Sequence, residues 1–272
     1  MEPLAAKAAR FREMHHGPRI LVLPNAWDAA SARIFEQAGF QALATTSAGI
    51  AASLGYPDGE RVGRDEMLAV VRRIVQAVSV PVTADLESGY GASTADVEAT
   101  ARGAIAAGAV GLNLEDARAR ILLEMAQAVE RIRAVRRVAD EAGVPLVINA
   151  RIDVLLRQAG PPETRVEETI RRANAYRDAG ADCLFVPAAL DAETIGRLVG
   201  AIRGPVNILA LPGVPSISEL ERLGVARVST GSGPMRATMT LTRRIAEELK
   251  QGEFRAITEA ITTYAEVNRR ME

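Results

Sequence analysis

The stretch Val82-Thr83-Ala84-Asp85-Leu86-Glu87-Ser88-Gly89-Tyr90-Gly91 decides the fold class when read beside Leu112-Asn113-Leu114-Glu115-Asp116. Each is a short apolar run ending in acidic side chains, the pattern of a buried strand that delivers carboxylates to its C-terminal end. Side chains alternate along a strand, so Asp85 and Glu87 fall on the same side. Working outward, strand-like runs recur at 20–24, 42–46, 80–85, 110–114, 146–150, 183–186, 206–210 and 225–230. Amphipathic helical runs lie between them, including 65–78, 94–107, 124–142 and 168–179. Several of these close on an Ala-Gly stop, and Ser216-x-x-Glu219 reads as a capping box. Strand-then-helix repeats with no linker or composition shift predict an α/β (β/α)8 TIM barrel, a single domain over 1–272. A doubly wound open sheet is the alternative, but no G-x-G-x-x-G follows the first strand. Two further helical runs, 235–250 and 253–270, follow the eighth strand, so that about 236–272 forms a C-terminal helical extension.

Composition removes most other chemistries. The chain has 272 residues, 48% of them hydrophobic, and a formal net charge of -1. That balance offers no basic field for nucleic acid, and no apolar run approaches the roughly 20 residues needed to span a bilayer. The charged, helix-like N-terminus has no signal-peptide apolar region, so a cytoplasmic location is expected. The lone Cys183 rules out a disulfide framework or a Cys-rich zinc site, and it sits in a buried strand, where it reads as core. The only histidines, His15 and His16, precede the first strand, which argues against a Ser-His-Asp triad or a His-based zinc site. The only lysines, Lys7 and Lys250, lie near the termini, so a Schiff-base aldolase and a P-loop are both unsupported.

Carboxylates, arginines, hydroxyls, backbone amides and a metal remain. In barrel enzymes the chemistry sits where strands end. Asp85 and Glu87 follow strand three, Glu115 and Asp116 follow strand four, and Arg151 and Asp153 follow strand five. Carboxylates this close repel one another unless a hard divalent cation sits among them, such as Mg2+ with one direct carboxylate and waters held by the rest. Arg151 suits bidentate capture of a substrate carboxylate. The hydroxyl-rich stretch Thr45-Thr46-Ser47-Ala48-Gly49-Ile50 reads as a loop that exposes amides to an anionic oxygen, with an ordinary turn as its alternative. Ser229-Thr230-Gly231-Ser232-Gly233 occupies the corner that often binds phosphate in barrels. Asp28 lines the mouth or caps the helix after strand one.

Taken together these residues resemble the isocitrate lyase / phosphoenolpyruvate mutase superfamily, over most of the chain from Pro24-Asn25-Ala26 to strand eight. The most specific elements are Ser53-Leu54-Gly55-Tyr56-Pro57-Asp58, Asp85-Leu86-Glu87-Ser88-Gly89-Tyr90-Gly91, Leu114-Glu115-Asp116 and Ala150-Arg151. Where the family shows D-x-D-x-G-[YF]-G, this chain carries Glu87 in place of the second aspartate. The resemblance implies an Mg2+-dependent barrel, with Mn2+ as the alternative ion, acting on a small 2-oxo carboxylate beside a pyruvate-like enolate. It implies Asp85 as the main metal ligand and Asp58, Glu87 and Glu115 as holders of metal waters. Arg151 would clamp a carboxylate, and Thr45, Thr46 and Ser47 would supply the amides. It also implies a homo-oligomer, dimer or tetramer, whose last helix is swapped between subunits. Two features depart from the pattern. The lyase segment K-[KR]-C-G-H is absent after strand four, where Asp116 is followed by Ala117-Arg118-Ala119-Arg120 and then directly by a helix-like run. The stretches after strands six and seven, Phe185-Val186-Pro187-Ala188 and Leu209-Ala210-Leu211-Pro212-Gly213, lack the polar side chains of lyases. The expected reaction is C–C bond cleavage of lyase or decarboxylase type. P–C mutase or hydrolase action on phosphonopyruvate, a non-catalytic 2-oxo acid binder and a phosphosugar barrel are the alternatives.

Overall fold

Short apolar strands cannot bury both faces alone, and each here feeds a helix that packs back over it. The computed structural model describes residues 2–259 and 261–272, so Met1 and Ala260 lie outside the described residues. In chain order it contains α1 (Leu4–Glu13), β1 (Leu21–Leu23), β2 (Asn25–Ala26), α2 (Ala29–Gln37), β3 (Leu43–Thr45), α3 (Ser47–Ser53) and α4 (Arg64–Ala77). Next come β4 (Val82–Asp85), α5 (Thr94–Ala106), β5 (Gly111–Glu115), β6 (Ala117–Arg118), β7 (Ile121–Leu122), α6 (Met125–Glu141) and β8 (Val147–Arg151). The chain continues through α7 (Arg165–Asp178), β9 (Cys183–Val186), α8 (Ala192–Ala201), β10 (Val206–Leu209) and α9 (Ile217–Arg222). It ends with β11 (Arg227–Ser229), α10 (Gly233–Lys250) and α11 (Tyr264–Met271).

Nine of these strands form one parallel sheet in the order β1-β11-β10-β9-β8-β5-β4-β3-β2. β1 and β2 are two halves of a single barrel strand interrupted at Pro24. The first half pairs with β11, where the Leu21 N–H donates to the Ala226 carbonyl at 2.9 Å. The second pairs with β3, where Ala44 N–H donates to the Pro24 carbonyl at 3.0 Å. One strand thus holds both sides of the seam, and the sheet closes into the (β/α)8 barrel that the repeats predict.

Helix starts follow the local chemistry. Asp28 caps α2, its carboxylate taking the Ser31 N–H at 2.7 Å, and Ser93 and Asp96 form a reciprocal box on α5. At Ser216 only the forward arm is seen, from the Glu219 N–H at 3.4 Å. Period-two alternation sorts each strand into two faces. Residues such as Ala84, Leu112, Ile148, Leu184 and Ile208 pack under the helices. Thr83 and Asp85, Asn113 and Glu115, Asn149 and Arg151, Cys183 and Phe185, and Asn207 and Ser229 share the opposite face, around the barrel axis. Side-chain bonds from Asn113 to Asp85, from Asn149 to Asn113 and between Asn207 and Ser229 tie that face together.

Three local expectations are corrected. The stretch 45–50 is not an open loop: Ser47–Ser53 is a helix, with Thr46 as its cap. The chain after Asp116 does not run straight into a helix, because the antiparallel hairpin β6–β7 intervenes before Met125. The run 253–270 is not one helix: a short turn of helix at Arg255–Ile257 is separated from α11, and Ala260 within it is outside the described residues. α11 lies against α2 of its own barrel, where Arg33 and Gln37 donate to the Arg270 carbonyl and Arg270 donates back to Gln37. α10 buries only Met235 and leaves Met239, Leu241 and Leu249 exposed.

Candidate active site

Asp85 ends β4 at the mouth of the barrel, and its carboxylate is fixed before any ligand arrives. One oxygen accepts the Ser47 N–H at 3.0 Å and the Ser47 hydroxyl at 2.8 Å, and the other accepts Asn113 Nδ2 at 3.1 Å. Asn149 in turn donates to Asn113 at 2.7 Å, and the Asp85 N–H donates to Thr45 Oγ1 at 2.9 Å. Thr46 spends its hydroxyl on the Gly49 N–H. The residues 45–47 therefore act here on Asp85 and on the start of α3. Placing an amide of the first helical turn against a carboxylate is favourable, since that end carries partial positive charge.

Asp58, Glu87, Glu115 and Arg151 line one cavity of about 180 Å³ with Glu60, Arg118, Arg120 and Arg157. Glu87 is buried and accepts the Glu60 N–H at 2.6 Å. Burial, and then the charges of Asp58 and Asp85, push its pKa up to about 8. Partial withdrawal from water followed by the Asp85 charge also raises Asp58, although this residue stands solvent-exposed at the rim. Burial holds Glu115 well above the usual carboxylate range, opposed by Arg151 and reinforced by Asp153, Asp85 and Glu87. The Tyr90 phenol, raised by burial and by Glu87, stays neutral and donates to Glu87 at 3.4 Å. Arg151 is half-buried yet held charged: desolvation works against its cation, but Glu115 and Asp153 more than offset it. Its Nη1 donates to Glu115 at 2.6 Å, and Nε and Nη2 donate to Asp153 at 2.6 and 3.2 Å. Of the five N–H bonds of a guanidinium, one on each terminal nitrogen is left for another acceptor.

Among the described residues no three acidic, His or Cys side chains are gathered as a set of direct metal ligands. Each carboxylate instead has a donor of its own: Asp85 has Ser47 and Asn113, Glu87 has Glu60, and Glu115 has Arg151. A hard divalent cation fits this arrangement as an ion bound directly by one carboxylate, with the others reached through water. The donors are all oxygens, and burial first and neighbouring like charges second disfavour the ionised forms of Glu87 and Glu115, a cost that a nearby cation would relieve.

Two acids expected at the mouth do different work. Asp116 turns to the outer layer, accepting Tyr176 at 2.7 Å, Arg172 at 3.1 Å and the Asp153 N–H at 2.8 Å. Asp153 ties Arg151 to Arg157. The strand-eight corner is also occupied, since Asn25 Oδ1 accepts the N–H groups of Thr230 and Gly231 at 2.8 and 2.9 Å. Those amides are unavailable to a phosphate. Cys183 is fully buried and its thiol is pushed up to about 12, as expected of a core residue. A larger cleft of about 520 Å³ lies at Arg12, Arg136 and Asp182, but its carboxylate is already bridged by both arginines.

Sequence reading missed Glu60, Asn113, Asn149, Arg118 and Arg157. Asn113 and Asn149 did carry a signal: each is polar within a buried strand and two residues before Glu115 or Arg151, hence on the same side. Glu60 lies in an irregular loop and carried none.

Comparison with known proteins agrees with this geometry. The family model described as phosphoenolpyruvate phosphomutase matches residues 11–250. A crystal structure from Burkholderia cenocepacia J2315, provisionally described as a lyase/mutase, superposes with a TM-score of 0.92 at 40% identity, covering 98% of this chain and 96% of that one. The 2,3-dimethylmalate lyase of Eubacterium barkeri is 31% identical over 80% of this chain and 77% of its own length. The 2-methylisocitrate lyase of Escherichia coli K12 is 30% identical over 79% of this chain and 74% of its own. With its barrel, its acidic mouth and relatives that are lyases and mutases, the chain is an enzyme that belongs to the isocitrate lyase / phosphoenolpyruvate mutase superfamily.

Proposed function

We propose that this enzyme binds a small 2-oxo carboxylate with Mg2+, or Mn2+ in its place, and cleaves a C–C bond beside a pyruvate-like enolate. The observation that carries the reading is the pinned Asp85 carboxylate at the end of β4, close enough to Glu87, Glu115 and Asp58 for its charge to act on all three, beside the cavity that those acids line with Arg151. Asp85 is the direct ligand, and Asp58, Glu87 and Glu115 hold the ion's waters. The bound ion supplies positive charge where negative charge develops on the substrate oxygens. Arg151 offers its two remaining N–H bonds to the substrate carboxylate, and its partners Glu115 and Asp153 fix the plane of that fork. Ser47 keeps Asp85 oriented, with Thr45 and Thr46 shaping the turn beneath it. The small, partly enclosed cavity suits a compact acid of pyruvate or oxaloacetate size.

We assign the whole of 1–272 to one barrel domain. We further infer a homo-oligomer, dimer or tetramer, formed through the C-terminal helical extension, where α10 leaves Leu241 and Leu249 exposed and α11 leaves Tyr264, Val267 and Met271 exposed. Among the described residues no helix is long and apolar enough to cross a membrane, and we place the enzyme in the cytoplasm with small-molecule partners alone.

Thermal unfolding with pyruvate, oxaloacetate, 2-oxoglutarate and phosphonopyruvate, each with and without Mg2+, tests the function. Saturating a site at a hundredfold over Kd adds about 2.7 kcal/mol of stability. A 2-oxo acid is expected to stabilise the protein only with Mg2+, and Asp85→Ala is expected to abolish the effect. Stabilisation that survives exhaustive chelation would overturn the reading, and phosphonopyruvate turnover faster than that of every carboxylate would redirect it to P–C chemistry.

A further inference from the structure

The segment that follows β4 holds an unusual backbone. Glu87 and Tyr90 have φ of 50° and 56°, beside Gly89 at 95° and Gly91 at 157°. Left-handed φ at a residue with a side chain costs on the order of 1–2 kcal/mol and persists only where the surroundings over-determine it.

Two charged side chains supply that determination from opposite sides. Arg131, on α6, is 2% exposed, and no carboxylate bonds it. Its terminal nitrogens donate instead to backbone carbonyls of this loop: to Ala92 at 2.9 Å, to Gly91 at 3.0 Å and to Ser88. The Thr100 hydroxyl donates to the Gly89 carbonyl at 2.7 Å, so the carbonyls of residues 88, 89, 91 and 92 are all engaged. From the other side Glu60 accepts the Tyr90 N–H at 2.8 Å and the Ser88 hydroxyl at 2.6 Å, while its own N–H holds Glu87 at 2.6 Å. A buried guanidinium whose terminal nitrogens reach only carbonyls, and whose Nε has no partner, is a costly choice for ordinary packing. It is well suited to gathering several carbonyls of one loop into a single conformation.

We propose that Arg131 and Glu60 are positioning residues for the metal side of the site. They clamp residues 87–92 between them, so that Glu87 stands at a fixed height beside Asp85 before any ion binds. This rests on the assignment of Glu87 to the ion's water shell. Arg131 lies outside the cavity lining and Glu60 is part of its wall, and each acts through the backbone that carries Glu87. Removing outer-shell support of this kind typically weakens metal binding about 10- to 100-fold.

The test is a calorimetric titration of the full-length protein with MgCl2 alone, paired with backbone hydrogen exchange over 86–92. Arg131→Met is expected to stay folded, to weaken Mg2+ binding about 10- to 100-fold and to speed exchange at 88–92. Arg131→Lys, which keeps the charge but not the fork, is expected to recover part of both. Unchanged Mg2+ affinity in folded Arg131→Met, whatever its melting temperature, would overturn the proposal and leave Arg131 a packing residue. Should Arg131→Met fail to fold, Glu60→Gln decides: it keeps the size and the backbone donor while weakening the acceptor. A severalfold loss of Mg2+ affinity with faster exchange supports the clamp, and no change in either refutes it. Wild-type protein that binds no Mg2+ would instead defeat the functional assignment itself, an outcome separable from these.

Discussion

Glu115 and Asp116 are adjacent in sequence, and the chain sends them to different places. Glu115 faces the cavity and Arg151, whereas Asp116 is buried outside the barrel axis against Arg172 and Tyr176. Sequence reading set both at the mouth because both follow strand four, but neighbouring side chains on a strand end leave on opposite sides. Asp116 should therefore be structural. Asp116→Ala leaves the buried Arg172 short of one of its two carboxylates and should cost about 3–5 kcal/mol in urea unfolding, with Mg2+ binding of the folded fraction retained. His15 reports on the opposite end of the barrel. Burial first, then the Arg227 charge on β11 and that of His16, depress its pKa to about 3, while its Nδ1–H bonds the Phe11 carbonyl at 2.9 Å. The unfolded chain, with a histidine near 6.5, binds more protons below that pH than the folded one. The His15 contribution is therefore complete above about pH 6.5 and declines as pH falls towards 3, by up to about 1.4 kcal/mol per unit. Chemical denaturation of His15→Gln between pH 7 and 4 should show a flatter acid limb than wild type; an unchanged slope would refute this.

At the scale of elements, the helices and buried strands were legible because each repeats its period over enough residues to be counted. The pieces that escaped are short or chemically atypical. α3 spans Ser47–Ser53 only, with small residues that also suit a loop. The β6–β7 hairpin turns at Ala119 and Arg120, whose φ values are 48° and 67°. A two-residue turn with both φ positive is normally Asn-Gly, and Ala-Arg carries none of that signal. The strain suggests a gain from conventional turn residues. The double substitution Ala119→Asn, Arg120→Gly should raise stability by about 1 kcal/mol in urea unfolding. Because Ala119 and Arg120 both line the cavity, a change in substrate affinity in that variant measures the joint contribution of the turn.

For the whole molecule, repeated strand–helix units gave the barrel, while its manner of closing was hidden. Nothing in the run 20–26 announces that Pro24 divides one strand into two half-pairings, because the division appears only when the last strand arrives beside the first. Asn25 holds that seam. Its Nδ2 donates to the Thr45 carbonyl at 2.6 Å while its Oδ1 takes the amides of Thr230 and Gly231, and its own N–H donates to Thr230 Oγ1 at 2.9 Å. Asn25→Ala would leave two partly buried donors and the buried Thr45 carbonyl without their partner, and should cost about 1–3 kcal/mol, measured by urea unfolding.

Asn25 and Thr230 stand 205 residues apart in the chain, so nearly the whole polypeptide must be in place before they meet. Contacts at such separation form late and slowly, since the entropy of closing the loop is lost before the contact rewards it. The seam is thus a clock as well as a joint. Helical signal should return early on refolding from urea, and Mg2+-dependent ligand capture only with the final phase. Asn25→Ala should mainly slow that last step if the seam is formed at the barrier, or mainly hasten unfolding if it is made afterwards.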